Sequence, residues 1–289
     1  MAWGGIVLTE NPVTDYDTFH LALPRNRLAN IRTTKRDMGG YWQADFDILP
    51  ESREEAQVLL ANCLGRHVEI HHDYGDLAWE GMVNSVVLET GTATIINSLN
   101  DMGNDVWCRY TPIGGTTVAR STVYESAMSK AKFATKQFVL GGGEIAAASA
   151  DQFASLYRDW NFWPRPTLQQ INTEGQVRAL PGLTLKCIGY IRTFEWMVYN
   201  QTILTGTALA STVMQAIVTA CGQFVASSVI GPNNTVITRE YDADRHPLDI
   251  MESIASLGDS DGYTWVIGMT RGRKFYFTQA TPPFRLRSG

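Results

Sequence analysis

Residues 65–91 read GRHVEIHHDYGDLAWEGMVNSVVLETG, and the stretch holds three of the chain's five histidines with Glu69 and Asp73 among them. It is either a metal site or one strand of a structural sheet. From Gly65 onward the pattern has period two: Val68 and Ile70 fall on one face, His67, Glu69 and His71 on the other. Such alternation marks a half-buried strand. DYGD supplies a turn, and Ala78–Glu89 reads as the return strand, with Gly81 as a bulge or twist point. His67, Glu69 and His71 are the candidate metal ligands, since side chains two apart on a strand can share an ion. A zinc site needs further ligands or a supporting shell, and no HExxH is present. A solvated strand face explains the same alternation without a metal.

Working outward, Tyr41–Leu49 alternates Trp42, Ala44, Phe46 and Ile48 with Gln43, Asp45 and Asp47, a second strand. Between the two strands, Ser52 followed by Glu55 forms a capping box, and Ala56, Leu59, Leu60 and Cys63 recur at helical spacing before Gly65. Strands are expected at Thr94–Ser98 and Val106–Tyr110. Ser121–Lys136 is polar and ambiguous, and Gly141–Gly143 reads as a hinge. A helix begins at Ser149, capped with Gln152, carries a stripe of Ala150, Phe153, Ala154 and Tyr157, and ends at WNFWPRP. Leu183–Tyr199 reads as a strand region. Helices follow at about Ala208–Cys221 and from Pro247 to Gly258, then a hairpin of Tyr263–Met269 and Lys274–Thr278. Helix, glycine, strand, turn, strand therefore occurs twice, at Gly65 and at Gly258. The order suggests two similar β-rich units, each with a helix on a sheet or partly closed barrel. The expected fold class is α+β and β-dominated: two tube-like β-barrel or split-barrel units joined by a helical connector. The expected division is 1–118, a connector 119–166, and 167–289 with two helices.

The chain of 289 residues is 44% hydrophobic and 18% charged, enough for a sizeable core. Its net charge of −5 lacks the basic footprint of a nucleic-acid binder. No apolar run is long enough for a membrane span, and MAWGGIVLTENP lacks the features of a signal peptide, which points to folding in a cytoplasm. Cys63, Cys108, Cys187 and Cys221 are widely spaced and read as buried free thiols. GDSDG at Gly258–Gly262 opens like a calcium loop but runs into a strand, so turn chemistry is expected. No GxSxG, phosphate loop or carboxylate dyad stands out, so no catalytic residue and no cofactor are assigned. Asn200-Gln201-Thr202 and Asn233-Asn234-Thr235 have the form of glycosylation acceptors and are read as incidental. Of the eight tryptophans, Trp42, Trp196 and Trp265 are expected in the core, while Trp160 and Trp163 are expected to brace a domain junction.

The order of these elements resembles bacteriophage tail hub and minor tail proteins. Residues 65–91 resemble the strand–turn–strand of a tail hub barrel, and LNDMGNDVWCRYT the strand after it. SAMSKAKFATKQFVLGGGEIAAASADQFASLYRDWNFWPRP resembles the middle segment, and LTLKCIGYIRTFEWMVYNQT the strand opening the second barrel. YDADRHPLDIMESIASLGDSDGYTWVIGMTRGRKFYF is the nearest in pattern, with a hairpin of the form W-x-x-G-x-x-x-x-R-K-x-Y. The resemblance covers Thr33–Phe277. It departs at Phe133-Ala134, where family members usually carry Tyr-Gly, and members that are longer carry a C-terminal module beyond this pattern. It implies a non-enzymatic structural protein of the virion, at the tail tip or baseplate, made in the host bacterial cytoplasm. It implies a homotrimeric ring whose two barrels per subunit mimic six-fold symmetry. The implied partners are a distal tail or tail tube protein, the tape measure protein and a tail fibre or tip protein, with DNA passing through the lumen without specific binding. Thr111–Thr135 is then expected to be an inter-subunit arm. Two other readings stand beside this one: a carbohydrate- or receptor-binding tail protein, and a tail-associated cell-wall hydrolase.

Overall fold

The structure, a computed structural model, describes residues 3–171, 180–199, 206–238 and 244–280. It is a β-dominated α+β fold with a large mixed sheet and no closed barrel among the described residues. The chain forms two compact units. The first comprises residues up to Thr34 together with Trp42–Tyr190; the second comprises Lys35–Tyr41 and residues from Ile191 onward.

The first unit contains β1 (Trp3–Thr9), β2 (His20–Pro24), most of β3 (Leu28–Arg36) and of β4 (Gly39–Ile48), α1 (Arg53–Asn62), β5 (His67–His72), β6 (Leu77–Glu89) and β7 (Ala93–Ser98). It continues through β8 (Asp105–Pro112), β9 (Ala119–Arg120), β10 (Tyr124–Glu125), α2 (Ala127–Phe133), β11 (Gln137–Ile145), α3 (Ala147–Asn161), β12 (Thr167–Ile171) and β13 (Gly182–Ile188). Strand order in its main sheet is β2-β1-β5-β6-β13-β4, with β3 on β4, β7 on the far half of β6, and β12 on β7. The long β6 organises this sheet. Its first half pairs with β5, its second half with β7, and β13 lies antiparallel along its other edge. Ile6, Leu8, Val68, Ile70, Trp79 and Val83 are fully buried, as the alternation in β5 requires. Gly81 marks close packing rather than a bulge: a Cβ there would lie 2.3 Å from the Ile188 carbonyl oxygen. The bulges fall instead at Ile70/His71 and Lys186/Cys187.

Two expectations about the middle of the chain change. Residues 119–166 are not a connector. Strands β8 and β11 pair in parallel, β9 and β10 line β8, and α3 covers this small sheet. Val106, Cys108, Tyr110, Ala150 and Ala154 form its core, ringed by Phe138, Leu140, Ile145 and Tyr157. A parallel pair needs a crossover, and β9, β10 and α2 supply it. Likewise β13, expected to open the second unit, pairs with β4 and β6 and so belongs to the first. Of the expected strand Leu183–Tyr199, β13 takes the part up to Ile188; a 3-10 helix, Tyr190–Trp196, follows.

The Gly141–Gly143 hinge is also corrected. These residues lie inside β11, where the register against β8 shifts between Gly141 and Gly143. Gly143 has φ +63°, and a Cβ on Gly142 would lie 2.7 Å from both Cys108 Sγ and Ile145 Cδ1. The glycines serve a bulge and a close approach.

The second unit contains β14 (Thr207–Leu209), α4 (Ala210–Cys221), β15 (Ser227–Ile230), β16 (Val236–Thr238), α5 (Pro247–Ser256), β17 (Trp265–Thr270) and β18 (Lys274–Gln279). Strands β17 and β18 form the expected antiparallel hairpin, with β15 parallel to β18 and Gly39–Gly40 parallel to β17. On α4, Ala210, Val213, Met214, Ile217 and Cys221 are buried, as their spacing predicts. Proline at the first position starts α5, and Gly258, at φ +70°, follows its end. Phe224, Phe275, Phe277 and Trp265 complete the core.

Candidate functional site

On β5, Glu69 sits between the two histidines on its face. His67 Nε2 lies 3.4 Å from Oε1 and His71 Nε2 lies 3.0 Å from Oε2. His67 Nδ1 lies 2.6 Å from the Tyr190 hydroxyl, whose ring stacks on the imidazole at 5.8 Å. With Nε2 donating to Glu69, the Nδ1 lone pair accepts from Tyr190. His71 faces an acceptor on each side, because its Nδ1 lies 3.2 Å from the Gly75 carbonyl of the β5–β6 turn. A neutral ring can donate to one of these at a time. The candidate ligands are thus brought together, but as a hydrogen-bonded row along one strand. The two Nε2 atoms address different oxygens of one carboxylate instead of a common point. Among the described residues, no group of three or more His, Cys, Asp or Glu is placed to hold a metal ion.

The residue of this stretch that sequence reasoning missed is Arg66. It is buried, and its guanidinium makes a bidentate pair with Asp17 at 2.5 and 2.8 Å. Its Nε donates to the Asn62 carbonyl at the end of α1, and Phe19 lies against the guanidinium at 4.3 Å. The Arg66 hydrogen bond holds the Asp17 carboxyl below the usual aspartate range, against the opposing effect of burial and with help from the Arg66 and Lys132 charges. Arg66 fastens the residues after β1 to the corner between α1 and β5. No local pattern in the sequence pairs residues 49 positions apart.

A second polar centre lies beside β8. Asn104 is fully buried; its amide donates to Ser129 Oγ at 3.1 Å and the Ala134 carbonyl at 2.8 Å, and its oxygen accepts from the Lys136 amide at 2.7 Å. Lys136 Nζ donates to the carbonyls of Leu99 and Asn100. Ser129, Phe133, Ala134 and Lys136 of the polar run Ser121–Lys136 are therefore interior residues, while Thr122, Glu125 and Met128 are exposed. Within the expected arm Thr111–Thr135, the loop at Ile113–Val118 carries the most exposed large apolar side chain, Ile113 at 71%, and Val123 and Met128 are exposed as well. Ser121 returns to β8, where its Oγ accepts from the Cys108 amide at 2.8 Å, and the Thr122 amide donates to Asp151.

The four cysteines are free and buried. Burial pushes the Cys63 and Cys221 thiols up to about 12 and Cys187 well above its ordinary value, so none is a ready nucleophile. GDSDG is a turn: Asp259 accepts from the amides of Asp261 and Tyr263, from Trp265 Nε1 and from Gln279 Nε2. Its carboxyl is lowered first by the Trp265 bond. Asn233 is buried and donates to the Gly258 carbonyl, so the second sequon is an interior residue; the first lies outside the described residues. Trp42, Trp196 and Trp265 are buried. Trp163 packs within the first unit, edge-on to Phe133 at 5.1 Å, whereas Trp160 is 66% exposed.

Compared with known proteins, the chain matches no family model, no curated protein and no solved structure. Among the described residues, no helix is long and apolar enough to cross a membrane.

Proposed function

We propose that this chain is a non-enzymatic structural subunit of a bacteriophage tail tip or baseplate, assembling as a trimeric hub ring. The observation that carries the reading is the repeated module. Helix α1, Gly65 at φ +74° and the hairpin β5–β6 are matched in order by α5, Gly258 at φ +70° and the hairpin β17–β18. Two such modules per subunit let three copies present six similar surfaces to a six-fold neighbour. In this reading each unit is a split barrel that becomes tube-like on assembly. The ring joins a tail tube or distal tail protein, contacts the tape measure and a fibre or tip protein, and passes DNA through a lumen that does not grip it. A net charge of −5 suits such a lumen, since a basic one would bind phosphates.

Ala134 is a departure from the tail hub pattern, which usually carries glycine here, although its backbone, at φ +66° and ψ −174°, lies in a region that glycine favours. The exposed loop Ile113–Val118 is the part of the expected arm able to reach a neighbour without unfolding its own unit. Electron micrographs of purified protein test the reading: rings with a central hole support it, and solid monomeric particles at every concentration reject it.

A further inference from the structure

A cleft of about 250 Å³ lies within the first unit at the end of α3. Its lining includes Trp160, Trp163 and Arg165 together with Ser98, Asp101 and Asn161. Its walls are held by internal bonds. The Tyr157 hydroxyl donates to the Asp101 carbonyl at 3.3 Å, the Gly103 amide to the Asn161 carbonyl at 3.0 Å, and Thr167 Oγ1 to the Ile96 carbonyl at 3.3 Å. Trp163 is fixed by Phe133 and by Tyr16 at 6.4 Å. Trp160 is different: two-thirds exposed, it presents its indole beside the cleft, with the Arg165 guanidinium 5.6 Å from the ring centroid. Among the described residues, the Asp101 carboxylate makes no hydrogen bond or ion pair, and Asn161 Oδ1 makes no hydrogen bond.

We propose that this cleft binds a neutral pyranose, with the sugar's C–H face on Trp160. An exposed indole in a cleft that polar groups also line provides an apolar body and a hydrogen-bonding rim. Asp101 and Asn161 Oδ1 accept from sugar hydroxyls, and Arg165 donates to one. The mixed charge selects the class: Asp101 disfavours an anion, Arg165 disfavours a cation, and a polyol uses both. The volume is that of a small site, below the roughly 300–1,000 Å³ of drug-sized pockets. The site does not depend on the ring reading, since a tail protein or any other could carry it.

The test labels the tryptophan indoles of the full chain with ¹⁵N, assigns Trp160 with Trp160→Phe, and titrates methyl glucoside, methyl galactoside and methyl N-acetylglucosaminide separately. Choline chloride and glycerol phosphate serve as cationic and anionic comparisons. The expected result is a saturable shift of the Trp160 resonance with at least one glycoside. Followed at the Trp163 indole and by calorimetry, binding is lost in Trp160→Ala and weakened about tenfold in Asp101→Ala, the loss of one charge-assisted hydrogen bond. Unchanged circular dichroism separates these losses from unfolding. The proposal is overturned if no glycoside moves Trp160, if Trp160→Ala still binds, or if choline or glycerol phosphate binds more tightly than every glycoside.

Discussion

At Ala134 the chain leaves α2 with φ +66° and ψ −174°, a conformation that costs a residue with a Cβ about 1–3 kcal/mol. The position is held because its carbonyl accepts from buried Asn104 and its amide donates to Lys130. Ala134→Gly should stabilise the protein by about 1 kcal/mol after the entropy of a freer unfolded chain is subtracted. A melting temperature raised by about 2–4 °C in calorimetry is the expected sign; a lowered one would show that the methyl is needed. The pair Asp17–Arg66 makes a second residue-scale prediction. A carboxyl depressed in the folded state stabilises it fully above the unfolded value, about 3.9, and ceases to as the pH falls through the lower folded value. Asp17 is 39% exposed, so Asp17→Asn should cost about 1 kcal/mol near neutral pH. Urea midpoints of the variant and the parent should converge as the pH falls through the lowered Asp17 value. A gap that persists at low pH would mean that Asp17 acts through packing alone. Neither residue was legible in the sequence, because a left-handed backbone and a contact across 49 positions leave no periodic trace.

Among the elements, those with strong periodicity were legible. The burial of Trp42, Ala44, Phe46 and Ile48 on β4, and the buried stripe of α4, follow their spacing. The caps were only half legible. Ser52 accepts from the Glu55 amide as a capping box requires, but Glu55 turns to the Glu51 amide and to Arg27. Helix α3 begins at Ala147, two residues before Ser149, with no side-chain cap, and its Phe153 is exposed rather than part of the buried stripe. Short edge elements such as β2 carry too little alternation to be seen. Gly141–Gly143 misled because glycine signals a hinge and a close approach alike. The two are separable. Gly142→Ala should destabilise by about 1–3 kcal/mol through overpacking against Cys108 and Ile145. A neutral effect on the urea midpoint would restore the hinge.

For the molecule as a whole, the helix–glycine–hairpin order at Gly65 and at Gly258 was legible. The division near Tyr190 was not, since β13 is claimed by partners more than a hundred residues earlier in the chain, Phe46 opposite Leu185 among them. The exposed loop offers a prediction at this scale. Replacing Ile113–Val118 with a short polar turn should leave the circular dichroism spectrum unchanged and lower the assembled fraction. Removing all of Thr111–Thr135 should instead unfold the first unit, because Ser129 and Ala134 hold Asn104. Full assembly after the loop replacement would move the interface elsewhere. Assembly of this chain into a three-fold ring is read from the mass of the purified protein in solution, by light scattering over a range of concentrations. The account predicts three times the subunit mass of 32.1 kDa, or six times where two rings stack. A single monomeric mass at every concentration would contradict it.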